Sequence, residues 1–189
     1  SYDAKGLLGS YLEVTGVLVG EGEESIYELS KYYDGKIENL SDVKGIVYRE
    51  AGEIVEKPFA FVQDLSSLKF AYEDFEDFEH KIIYYESSRG CPFSCSYCLS
   101  SIDKSVRFRD LELVKKELQT FIEAKVPQVK FVDRTFNCKA SHAMEIWNYI
   151  YEHDNGVTNF HFEVAADLIT EEELELFEKM RKGLIQLEI

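Results

Sequence analysis

Three of the four cysteines in this 189-residue chain fall within eight residues, as Cys91-Pro-Phe-Ser-Cys95-Ser-Tyr-Cys98. Thiolates are soft donors for zinc and iron–sulfur centres, and such crowding in a chain without a disulfide pattern points to a metal or redox site. Offsets of four and three residues let a short loop wrap one face of a cubane cluster. Clusters of that kind are held by Cys thiolates, usually four, so three ligands would leave one iron corner open for a substrate or cofactor. A zinc knuckle would use the same donors and need a fourth ligand nearby; spacing alone leaves both readings open. Cys138 stands apart and reads as a buried thiol. His80, His142, His153 and His161 show no ligand spacing, and His161, on a strand, reads as a hydrogen-bonded structural residue.

The elements around this loop alternate regularly. Residues 82–85 read as a buried strand that ends in ESSRG, directly before the first cysteine. Asp110 caps a helix with Leu111, Val114, Leu118, Phe121 and Ile122 on one face, and Pro127 ends it. Residues 128–132 form a second strand. Residues 141–153 form a second helix, with Ala143, Ile146, Trp147, Ile150 and Tyr151 as its apolar stripe. A third strand spans 159–165. Thr170 and Glu173 make a capping box for a third helix with Leu174 and Phe177 facing inward, and 184–189 begin a fourth strand. The order is (βα)₃β, an α/β pattern that right-handed crossovers turn into a parallel sheet or a barrel segment.

Upstream, Leu7, Leu8, Tyr11 and Leu12 recur at helical spacing, GVLVG at 16–20 is a strand, and Ile26, Leu29, Tyr32 and Tyr33 share a helix face ended by Gly35. Two strand-like runs then flank Ala51-Gly52, a hairpin signal. Pro58 starts a connector that runs to residue 80. Its stretch FAYEDFEDFEH, with five carboxylates from Glu73 to Glu79, reads as a solvated linker pinned to a neighbouring surface by Phe70, Tyr72, Phe75 and Phe78. The terminal strand without a following helix, and the start without methionine, read as a piece of a longer protein.

With 21 basic and 36 acidic side chains the net charge is −15, which argues against nucleic acid or an anionic membrane as partner. A 45% hydrophobic content marks a folded chain. No apolar run approaches the ~18 residues that span a bilayer, and the polar start is unlike a signal peptide, so the expected location is cytoplasmic.

The string SSRGCPFSCSYCLS, with its aromatic before the last cysteine and the βα series behind it, resembles the radical S-adenosylmethionine (SAM) enzymes. Within them the chain is similar to the cobalamin-dependent branch that includes the anaerobic magnesium-protoporphyrin IX monomethyl ester oxidative cyclase. GVLVGEGEESIYEL, IVYREAGEIV and RFRDLELVKKEL carry that likeness. The resemblance implies a partial radical SAM barrel of about four parallel strands with helices outside over 81–189. Before it would come the C-terminal remnant of a Rossmann-like B12-binding domain at 1–35 and a hairpin and linker at 36–80. Cys91, Cys95 and Cys98 would ligate a [4Fe-4S] cluster, and SAM would chelate its open iron. Reductive cleavage would give a 5′-deoxyadenosyl radical that abstracts hydrogen from substrate.

By the same resemblance Tyr97 lies beside the SAM adenine and Asp133 holds its amino group in place of a GGE motif. Strand alternation points Glu163 toward the barrel mouth, where an acid either contacts SAM or makes a structural salt bridge. Arg89 either tunes the cluster or pairs with linker carboxylates. Cobalamin is implied for the full-length protein, although the DxHxxG motif that would ligate cobalt from below is not in this sequence. The implied activity is that of a methyltransferase or an oxidative cyclase, with little turnover by this piece alone. Its partners would be a small-molecule substrate, an electron donor such as flavodoxin or ferredoxin, and a second copy paired through the open barrel edge. A structural zinc module and an RNA-modifying methylthiotransferase are the alternatives; the acidic charge weighs against the second.

Overall fold

A computed structural model describes residues 3–72, 74, 75, 78, 81–99 and 104–189. Four of the five linker carboxylates (Glu73, Glu76, Asp77 and Glu79) and His80 lie outside the described residues. The chain divides into two compact units, residues 1–63 and 64–189.

In the first unit, helix α1 (Ala4–Ser10) precedes strand β1 (Gly16–Leu18), helix α2 (Gly22–Tyr33), and the hairpin of β2 (Ile46–Glu50) and β3 (Glu53–Glu56). The hairpin turn has Ala51 at φ 50° and Gly52 at φ 89°, the pair of positive values that matches the twist of the flanking strands. β1 pairs antiparallel with β2 in the order β1-β2-β3. Hence the strand at 16–18 and the hairpin share one sheet. Of the apolar residues expected on the first helices, Leu8 is buried and Leu29 and Tyr32 are half-buried, while Leu7, Tyr11, Leu12, Ile26 and Tyr33 are exposed. The Arg49 guanidinium donates to the backbone carbonyls of Leu8, Tyr11, Leu12 and Val14, which satisfies acceptors at the C-terminal end of α1.

The second unit is the α/β part. β4 (Ile83–Tyr85), β7 (Gln128–Phe131), β8 (Asn159–Glu163) and β9 (Ile185–Glu188) form a parallel sheet in that order. They are joined through α3 (Leu111–Glu123), α4 (Ala140–Glu152) and α5 (Glu171–Lys179). This is a partial βα barrel of four parallel strands. Between β4 and α3 the chain makes β5 (Ser88–Arg89) and β6 (Arg107–Phe108), an antiparallel pair.

Alternation along the strands sorts the two faces. Ile83, Tyr85, Val129, Phe131, Phe160 and Phe162 are buried in one core with Val114, Leu118 and Phe121 of α3 and Ile146, Trp147 and Ile150 of α4. The other face carries Tyr84, Lys130, His161, Glu163, Gln186 and Glu188, so 82–85 is a half-buried strand and not a fully buried one. Two expected inward residues also turn out: Tyr151 is 38% and Leu174 51% exposed. On α5 the inward stripe runs through Glu173, Leu176 and Phe177, because the capping box holds Glu173 against the helix start.

The linker aromatics pack as expected. Phe70, Tyr72 and Phe75 set their rings 5.3–5.8 Å from Phe121, and the Tyr72 hydroxyl donates to the Tyr84 carbonyl at 2.6 Å. That packing sets Phe70, Tyr72, Phe75 and Phe78 against the core of the second unit.

Candidate functional site

The cysteine loop, Asp133 and Glu163 lie at or beyond the C-terminal ends of the parallel strands, where βα folds build their sites. β4 ends at Tyr85, and three residues later the chain enters the β5–β6 ladder, with Ser88 opposite Phe108 and Arg89 opposite Arg107. The Arg109 amide donates to the Ser87 carbonyl at 2.9 Å. The cysteine segment is therefore a loop closed at its base. Gly90 (φ 108°) makes the closure feasible: a Cβ there would lie 2.0 Å from the Ser105 carbonyl oxygen, on the opposite side of the loop.

A buried carboxylate ties the entrance of the loop to the next strand. Asp133, two residues beyond β7, is 1% exposed. It accepts from the Ser87 amide at 3.0 Å, the Ser87 hydroxyl at 2.7 Å and the Ser88 hydroxyl at 2.6 Å. Burial pushes its pKa up to about 6, against those three hydrogen bonds, which favour the charged form. His142 Nε2 lies 3.2 Å from the Ser87 hydroxyl. Since that hydroxyl gives its single proton to Asp133, His142 must donate from Nε2. Burial, then the Lys139 charge, holds the imidazole down to about 4, so it is neutral at pH 7.

The exit of the loop has its own anchor. The Arg109 guanidinium donates to Glu117 at 2.6 Å and to the Leu65 carbonyl at 2.8 Å, and Tyr85 donates its hydroxyl to the same Glu117 at 2.6 Å. Burial is the main cause of the raised pKa of Tyr85. Arg89 forms a two-pronged pair with Glu86 at 2.9 and 2.6 Å.

The three clustered cysteines differ in setting. Cys91 is buried, with its Sγ 3.7 Å from the Thr135 hydroxyl; Cys98 is half-buried and Cys95 exposed, joined by a turn from the Cys98 amide to the Cys95 carbonyl. No three His, Cys, Asp or Glu side chains among the described residues are gathered as a metal cage. The donor set nevertheless suits an iron–sulfur cluster: three soft thiols on one short loop, the first fixed against the sheet. Cys138 is half-buried, and its thiol is pushed up chiefly by burial.

The other expected contacts are spread out. Tyr97 is 91% exposed. Both oxygens of Asp133 are engaged by the loop base, which makes it an anchor in this structure. Glu163 lies 3.4 Å from Lys130 on the open face, beside Glu188, which reaches Lys130 at 3.1 Å and His161 at 3.1 Å. Spacing arguments did not single out Ser87, Ser88, Thr135, His142 or Lys130. The available signals were small hydroxyls before the first cysteine and a buried polar residue on an otherwise apolar helix face.

The sequence profile of the Radical SAM superfamily matches residues 85–189, more than half of the chain. The chain belongs to the radical SAM superfamily. Among curated relatives, it is 28% identical over 143 residues to an uncharacterised methyltransferase of Pyrococcus horikoshii, covering 70% of this chain and 31% of the relative. It is 34% identical over 123 residues to a protein of Methanocaldococcus jannaschii provisionally named a methylthiotransferase, covering 60% and 24%. It is 28% identical over 117 residues to the anaerobic magnesium-protoporphyrin IX monomethyl ester cyclase of Cereibacter sphaeroides, covering 56% and 19%. The chain thus spans less than a third of the length of these relatives.

Solved radical SAM structures share the fold. The methyltransferase TsrM of Kitasatospora setae, solved with cobalamin and a [4Fe-4S] cluster bound, aligns with TM-score 0.69 at 16% identity over 91% of this chain and 37% of that one. The cobalamin-dependent SAM radical enzyme OxsB aligns with TM-score 0.70 at 20% identity over 96% and 28%. No helix among the described residues is long and apolar enough to cross a membrane.

Two outcomes check this geometry. Ser88→Ala removes a donor to a buried carboxylate and should cost about 1.5–3 kcal/mol in urea denaturation; a cost near zero would mean that the Ser88 bond does not anchor the loop. For His142 the folded pKa lies near 4, below the reference of 6.5, so its contribution to stability is full above pH 6.5 and is lost as the pH falls through about 4. The stability gap between the native chain and His142→Gln, which does not titrate, should therefore narrow from pH 7 to 4. A constant gap would contradict the buried neutral imidazole.

Proposed function

We propose that Cys91, Cys95 and Cys98 hold a [4Fe-4S] cluster through three of its irons and leave the fourth to S-adenosylmethionine. When bound, the reduced cluster would pass one electron to the sulfonium of SAM, whose C5′–S bond would break to leave methionine and a 5′-deoxyadenosyl radical able to take hydrogen from a small-molecule substrate. The observation that carries the reading is the loop itself: three thiols follow a parallel strand at its C-terminal end, on a base fixed by two buried carboxylates.

In this reading Cys91 is the fixed ligand, already against the sheet, and Cys95 and Cys98 close in from the exposed part of the loop when the cluster is assembled. Asp133 positions the loop, and Glu163, half-exposed on the open face, is the acid offered to the SAM amino group. Lys130 offsets part of the charge that Glu163 and Glu188 bring to that face, and its hydrogen bond holds Glu188 below the usual carboxylate range. Tyr97, exposed between the last two cysteines, covers the adenine. The cores on the helix side keep water from the strands.

The full-length protein is proposed to be a cytoplasmic, cobalamin-dependent methyltransferase or oxidative cyclase that takes its electron from a flavodoxin or ferredoxin. Names of the relatives and the cobalamin-containing fold neighbours support that finer reading. The acidic charge of −15 supports a small molecule over RNA as substrate.

Anaerobic reconstitution with iron and sulfide tests it. About four irons and four sulfides per chain, with a reducible brown chromophore that Cys95→Ala abolishes, are expected. One zinc per chain without acid-labile sulfide would overturn the reading in favour of a structural zinc module.

A further inference from the structure

Cys91 and Thr135 face each other in a nearly dry place. Their exposures are 9% and 8%, and the sulfur lies 3.7 Å from the hydroxyl oxygen. Thr135 is held from below: the Cys138 amide donates to its carbonyl at 3.1 Å, and the next residue, Phe136, is fully buried with its ring 4.4–5.2 Å from Phe162, Phe131 and Trp147. The Asn137 side chain also exchanges two 2.9 Å hydrogen bonds with the backbone of Ala165. The hydroxyl therefore sits on a rigid corner, while the loop base brings Cys91 to it.

The protons decide what this contact becomes. The Thr135 hydroxyl donates to the Arg134 carbonyl at 2.9 Å, which leaves its oxygen to accept from a Cys91 thiol. A cysteine that ligates iron has lost its proton and can only accept. Rotation about Cβ–Oγ then lets Thr135 exchange a neutral hydrogen bond for a charge-assisted one to sulfur, which is the stronger kind.

We infer that Thr135 is a positioning residue that donates a hydrogen bond to the Cys91 thiolate of the cluster and thereby raises the cluster's reduction potential. The inference rests on the proposed cluster and concerns a residue outside the cysteine motif. Its physical basis is that a donor to sulfur stabilises the reduced cluster more than the oxidised one, because the added electron increases the charge on the ligands.

The test is an EPR-monitored redox titration of the anaerobically reconstituted chain, comparing native, Thr135→Val and Thr135→Ser proteins. Valine keeps the shape and removes the donor; the midpoint should become more negative. At a fixed potential the ratio of reduced to oxidised cluster should fall by up to about tenfold, about 59 mV for a one-electron couple. Serine should restore the native midpoint, and an exchangeable-proton coupling in the ENDOR spectrum should be present in native and serine proteins and absent with valine. Thr135→Ala carries the same expectation as valine if the valine variant does not fold. Equal midpoints in all variants would overturn this inference alone. A native chain that takes up no cluster would overturn the functional reading as well.

Discussion

The cysteine loop hangs from the buried carboxylate of Asp133. An ionised carboxylate in a dry site costs several kcal/mol unless its lone pairs are met, and here an amide and two hydroxyls meet them. The balance remains slightly against charge, which is why the group titrates near pH 6 and not near 4. An anchor of this kind gives little net stability while intact and a large loss when one donor is removed. It fixes where the chain leaves β4, and with it the position of Cys91.

Glu117 does the corresponding work at the other end of the loop. Arg109 and Tyr85 both donate to it, so the residue that follows β6 is tied to the last residue of β4 and to α3. Between the two anchors the β5–β6 ladder, the bond from the Arg109 amide to the Ser87 carbonyl and the close approach at Gly90 hold the strands of the loop together. The result is a rigid base carrying an exposed segment. In the proposed cluster reading, buried Cys91 would be the fixed ligand, and Cys95 and Cys98 would join it from the more exposed part of the loop.

Much of this architecture was legible in the sequence. The apolar spacing of α3, that of α4 apart from Tyr151, the Thr170–Glu173 box and the Ala51-Gly52 turn each report a local, near-neighbour constraint, and each is found in the fold. The family resemblance and the cysteine spacing were legible for the same reason. What was not legible depends on distance in sequence. Nothing local in the sequence shows that Asp133 accepts from Ser87 and Ser88, some 45 residues earlier. The pairing of the strand at 16–18 with the hairpin at 46–56 likewise joins segments about 30 residues apart. Leu174 and Phe177 share a helical spacing, and only the docking of α5 on Trp147 decides that Phe177 turns in and Leu174 out.

Hydrogen–deuterium exchange tests the central claim, that Asp133 roots the cysteine loop in the sheet, most directly. Comparing the native chain with Asp133→Ala, the amides of residues 87–91 and 107–109 should be slow in the native chain and markedly faster in the variant, while those of β7, β8 and α4 keep their protection. Unchanged exchange across 87–91 and 107–109 in a folded variant would contradict the account.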